Sequence, residues 1–87
     1  MALINIGWIE PETGIAYQWA FSEEEIEAIA ALEPASDSES VVILKDTGGR
    51  VDVSSDRQNL IVSDTAGTKA VVEARTLIDL ARRQRRR

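Results

Sequence analysis

Arg82, Arg83, Arg85, Arg86 and Arg87 fill five of the last six positions of the 87-residue chain, and their chemistry is the plainest in it. A guanidinium is planar, permanently charged and able to meet a phosphate or a carboxylate through two parallel hydrogen bonds, so the cluster suits an anionic partner. The rest of the chain is acidic: all 10 Lys and Arg lie after residue 44, against 15 Asp and Glu, nine of them before it. Charge ordered in this way bears on partners and association rather than on fold, and two surfaces of opposite sign are expected.

Other reactive side chains are scarce. With no cysteine and no histidine, disulfides, thiol nucleophiles, imidazole bases and the usual zinc or copper ligand sets are excluded. No loop has the acid spacing of a calcium-binding hand. No catalytic residue, metal ligand or cofactor is assigned, and an enzyme is not expected.

Three short strings need weighing. Asp46, Thr47 and Gly48 resemble the catalytic triplet of retroviral-type aspartic proteases. That family places apolar residues before the triplet and a small residue after it, whereas Lys45 precedes it here and Gly49 and Arg50 follow; a hairpin turn explains the same letters. Asp64, Thr65, Ala66 and Gly67 are similar to the magnesium-side motif of small GTP-binding proteins. The glycine-rich phosphate cradle of that family is absent, and a helix cap at Asp64, Thr65 or Thr68 is the expected role. The string from Arg82 to Arg87 resembles the arginine-rich RNA-binding motif of lentiviral transactivators and some phage antiterminators. That resemblance implies guanidinium contacts to phosphates by a segment that becomes helical on RNA. No paired aromatics flanked by bases accompany it, as a nucleic-acid-binding sheet would have.

The elements that must position these residues follow from periodicity. Residues 3–21 read as a hairpin turning at Pro11 to Gly14. Pairing Glu10 with Ile15 sets Trp8 opposite Tyr17, Ile6 opposite Trp19 and Ile4 opposite Phe21, which places every aromatic residue on one face, read as core. Ser22 with Glu25 forms a capping box, and Glu23, Glu24 and Glu25 sit where a helix dipole favours negative charge. That helix ends by Pro34, and a polar loop follows. The run Val41 to Leu44 is apolar on both faces and reads as a central strand. A turn at Gly48 and Gly49 then returns the chain, with Thr47 paired to Arg50, Lys45 to Asp52 and Leu44 to Val53. Residues 59–63 form a fifth strand. The last helix is expected to start between Thr65 and Lys69, with an apolar stripe of Val71, Ala74, Leu77, Ile78 and Ala81 and an ion pair between Asp79 and Arg83.

The sequence therefore specifies an α+β domain over residues 1–81, strand order ββαβββα, as one antiparallel sheet of about five strands with two helices packed on one face. Residues 82–87 extend the last helix as an arginine-rich end. Composition fits a soluble globular protein, with 44% hydrophobic and 29% charged residues and no apolar run near the roughly 18 residues of a membrane span. The amino terminus lacks a secretory pattern, so the reading is cytoplasmic. The function expected is that of a small non-enzymatic binding or regulatory protein acting by occupying a macromolecular surface. Its contact region is Arg82, Arg83, Arg85, Arg86 and Arg87, facing nucleic acid or an acidic protein. The alternative is a phage-type acidic inhibitor whose surface carboxylates, Glu23, Glu24 and Glu27 among them, imitate phosphates; a small structural or virion subunit is a third reading. Exposed sheet edges and self-complementary charge permit a homodimer.

Overall fold

The computed structural model describes residues 3–33 and 41–85; the loop expected between the first helix and Val41, together with Arg86 and Arg87, lies outside them. Alternation builds the first hairpin. Strands β1 (Leu3–Ile9) and β2 (Ala16–Ser22) pair with Trp8 opposite Tyr17, Ile6 opposite Trp19 and Ile4 opposite Phe21, the register expected. The turn closes where Glu10 N–H donates to Ile15 and Gly14 N–H donates to Glu10, both at 2.9 Å. Gly14 adopts a φ of 72°, which glycine takes without steric cost.

Helix α1 (Glu23–Ala30) follows β2 directly. Ser22 caps it, and the capping box with Glu25 is complete. From Val41 onward come β3 (Val41–Ile43), β4 (Arg50–Val53), β5 (Asn59–Ser63), β6 (Lys69–Glu73) and α2 (Ala74–Arg85). The six strands form two antiparallel sheets, the β1-β2 hairpin and a four-stranded sheet ordered β3-β4-β5-β6. This corrects the single five-stranded sheet expected from the sequence.

Three further expectations change. First, β3 is an edge strand rather than a central one, and Val41 and Ile43 on its outer face are exposed. Second, β3 and β4 pair four residues away from the expected register, with Val42 opposite Val51 and Ile43 opposite Arg50. The shift is even, so the same side chains face inward, and the turn lengthens to span Lys45–Gly48. That length leaves Asp46 and Thr47 free to bond elsewhere. Third, residues 69–73 are strand rather than helix. Asp64 accepts 2.9 Å bonds from the backbone N–H of Ala66 and of Thr68, and Gly67 has a φ of 89°, so the chain turns back before a helix can begin. Val71 and Val72 are β-branched and suit the pleat that results. Val71 consequently leaves the helical stripe, while Ala74, Leu77, Ile78 and Ala81 are buried as expected.

One face of the four-stranded sheet is buried through Val42, Val51, Leu60, Val62, Ala70 and Val72. Helix α2 packs against β5 and β6, α1 packs against β2 and β3, and the two helices pack on each other. Ile6, Trp8 and Phe21 join this same hydrophobic cluster, with Ile4, Tyr17 and Trp19 half-buried against it. The aromatic face is therefore core, but its residues differ in depth. Trp8 is 6% exposed, lies 6.3 Å from the Trp19 ring and donates its indole N–H to the Val71 carbonyl at 3.3 Å. We expect Trp8→Ala to cost about 3–5 kcal/mol and to lower the melting temperature more than Trp19→Ala. Equal losses from the two variants would place the hairpin's packing centre elsewhere.

Candidate functional site

The Asp46 triplet resolves as structure. Its turn lies over the start of α1, where the Glu25 carboxylate, 4% exposed, accepts bonds from the backbone N–H of Ser22 at 2.8 Å and of Asp46 and Thr47 at 3.2 Å. The Thr47 hydroxyl also donates to Glu25, at 3.0 Å. Asp46 in turn accepts the Ser22 hydroxyl proton, while Ser22 Oγ accepts the Glu25 amide. Among the described residues no buried side-chain polar atom lacks a partner, as buried polar groups generally require. The neighbouring Asp64 turn lies against the Asp46 turn: a Cβ added at Gly49 would meet the Ser63 carbonyl oxygen at 2.0 Å. Asp64 bonds its own turn and caps no helix, which corrects the expected cap.

Removing the Glu25 carboxylate would leave the buried Ser22 amide and the part-buried Asp46 and Thr47 amides without their acceptor, so Glu25→Ala should cost on the order of 3 kcal/mol or more. Asp46→Asn keeps an acceptor for Ser22 and should cost about 1 kcal/mol or less. Chemical denaturation of both variants checks the order, and an equal cost would mean that Glu25 is not the hub.

The arginine end is different in kind. The last buried residue of α2 is Ala81, and Arg82, Arg83 and Arg85 follow in its last turn, all exposed. Arg82 is committed to the fold: its Nε–H donates to the Ala30 carbonyl at 3.1 Å. Helix α1 has three acids in its first turn and no base in its last, so Arg82 supplies from α2 the cation that favours a helix carboxyl end. Arg83 and Arg85 make no ion pair or side-chain hydrogen bond among the described residues. The expected Asp79–Arg83 pair does not form. Arg86 and Arg87 lie outside the described residues.

Asp79 instead lines an open groove of about 1030 Å³ beside α2. Arg57, Arg75 and Arg82 line it as well, with the carboxylates of Glu33, Asp56 and Glu73 and an apolar floor of Leu32, Ala74 and Ile78. The Asp56 carboxyl is held below its ordinary range, first by the Ser54 hydroxyl and then by the Gln58 amide. Arg57 and Arg75 escaped the sequence reading because each stands apart in sequence. A signal existed for Arg75, since seven residues separate it from Arg82 and such positions share a helix face.

The alternative acidic surface is also present. Glu23, Glu24 and Glu27 are exposed on α1, whereas Glu25 between them is buried. The structure thus separates the four glutamates into three that solvent reaches and one that holds the fold. Among the described residues no group of His, Cys, Asp or Glu is arranged to hold a metal ion, and no helix is long and apolar enough to cross a membrane. Comparison with protein-family models, with curated proteins and with solved structures finds no match for this chain.

Proposed function

We propose that this chain is a small non-enzymatic binding protein that acts by occupying an anionic macromolecular surface, nucleic acid or acidic protein, with the arginine end of α2 as its contact region. The observation that carries the reading is the projection of Arg83 and Arg85 beyond the last buried residue of α2, without an ion pair among the described residues. Unpaired guanidinium groups on a helix end have lost no freedom to internal partners and are available for bidentate contact. Arg82 serves both sides of the boundary, tying α2 to α1 while lining the open groove beside α2.

A second reading has its own support. Glu23, Glu24 and Glu27 form an exposed acidic patch on α1, which suits the inhibitor that imitates phosphates for a nucleic-acid-binding protein. The two readings make opposite demands. The first needs the arginines and an anionic ligand; the second needs the glutamates and a basic one.

A truncation after Arg82 separates them, because it keeps the bond to Ala30 and removes four arginines. Fluorescence anisotropy with an RNA hairpin and with polyglutamate, at several salt concentrations, reads the outcome. The intact chain should bind with a log-log salt slope of up to about −3.6 on nucleic acid if those four side chains each neutralise a phosphate, and the truncated chain should not bind. Preference for polyglutamate would assign an acidic protein partner. No binding to either ligand by the intact chain, with binding to polylysine lost on neutralising Glu23, Glu24 and Glu27, would replace the first reading with the second.

A further inference from the structure

The four-stranded sheet has two edges, and the protein treats them differently. At the β6 edge, the bond from Asp64 N–H to Thr68 C=O sets the alternation of the ladder, so the backbone groups of Lys69, Val71 and Glu73 point away from β5. Trp8 of the other sheet takes the Val71 carbonyl there, at 3.3 Å. One outward group at the middle of that edge is thus taken by the other sheet.

At the β3 edge, the bond from Leu44 N–H to Gly49 C=O at 3.0 Å sets the alternation in the same way. Val42 bonds toward β4, and the backbone groups of Val41 and Ile43 point outward. The Ile43 carbonyl accepts one bond from Lys45 N–H at 3.2 Å and keeps its second lone pair. No described residue bonds the Val41 N–H, the Val41 carbonyl or the Ile43 N–H. The same two residues are 42% and 57% exposed. Protein edges are ordinarily guarded by lysine, proline or a bulge; β3 reads Val-Val-Ile and carries none of these.

We propose that β3 is a self-association edge, on which a second copy of this chain pairs antiparallel about a two-fold axis through Val42. In that register Val41 faces the copy's Ile43 and Ile43 faces the copy's Val41, and each facing pair exchanges both of its backbone hydrogen bonds. The exposed side chains of these residues meet each other on the outer face, and Val42 meets its own copy on the buried face. Opposed residues must share a face, so the register can move only in steps of two. Either step opposes just one of the two outward-pointing residues to the other chain's Val41 or Ile43. The two-fold register satisfies both, with no charged residue between the paired strands, and joins the two four-stranded sheets into one. A symmetric edge that complements itself in backbone bonding and in side chains selects a copy of itself as occupant.

Sedimentation velocity over a broad concentration range tests the pairing. The intact chain should shift from monomer to dimer as concentration rises, and exchange of the Val41 and Ile43 amides should slow in step. Ile43→Lys sets an ammonium against the copy's Val41 and should weaken the dimer at least tenfold. Its circular dichroism should be unchanged, because Ile43 is exposed. Should that variant fail to fold, Val41→Pro decides, since it removes an outward N–H and no bond to β4. A wild-type chain that stays monomeric throughout overturns the proposal, and so does a dimer that survives a folded edge variant. Neither result depends on the arginine end.

Discussion

A buried carboxylate that makes no ion pair among the described residues organises the molecule. Glu25 accepts bonds from the backbone amides of Ser22, Asp46 and Thr47 and from the Thr47 hydroxyl, and it sits in the first turn of α1, where the helix dipole favours negative charge. A lone buried charge is costly, so several donors and a dipole must converge to hold it. Here they come from two places far apart in sequence: the corner where β2 becomes α1, and the turn between β3 and β4. One side chain thereby joins the hairpin sheet to the four-stranded sheet. β3 takes the sheet edge because it pairs with β4 alone, and the Glu25 bonds hold the turn that follows it.

The same economy appears at the other end of α1. That helix has no base of its own in its last turn, and Arg82 of α2 fills the position by bonding Ala30 C=O. Acidic and basic halves of the sequence are therefore stitched together within the fold, at a helix terminus rather than through paired side chains. The arginines beyond this stitch are left without such a task among the described residues, and this is the physical basis for assigning them to a partner. The three exposed glutamates on α1 keep the surface mixed in sign, so on the proposed reading binding through the arginines would be local and sensitive to salt.

Local rules made part of this structure legible from sequence. The first hairpin was readable to the residue because its turn and its aromatic alternation agree, and the capping box because its two partners lie three residues apart. The remainder depended on distant contacts. Val41 to Leu44 looked central because it is apolar on both faces, and only the pairing order shows it at an edge. Val71 fits a helical stripe and a strand equally well; the turn bonds of Asp64, not periodicity, decide for the strand. At the candidate site the arginine cluster was evident as composition. Its division at Arg82, and the groove shared with Arg57 and Arg75, required the packing of α2 on α1 and on the β4-β5 turn.

On the proposed reading, folding and partner contact divide at Arg82, with the Glu25 knot of α1 and Arg82 on the folding side and Arg83 and Arg85 on the partner side. Nuclear magnetic resonance of the intact chain, titrated with an RNA hairpin and separately with polyglutamate, reads both sides at once. Signals of the Arg83 and Arg85 Nε–H groups should shift with one of these ligands while the amides of Asp46 and Thr47, held by Glu25, stay in place. Arginine signals unmoved by both ligands, or shifts spread through the Asp46 turn together with the tail, would contradict the division.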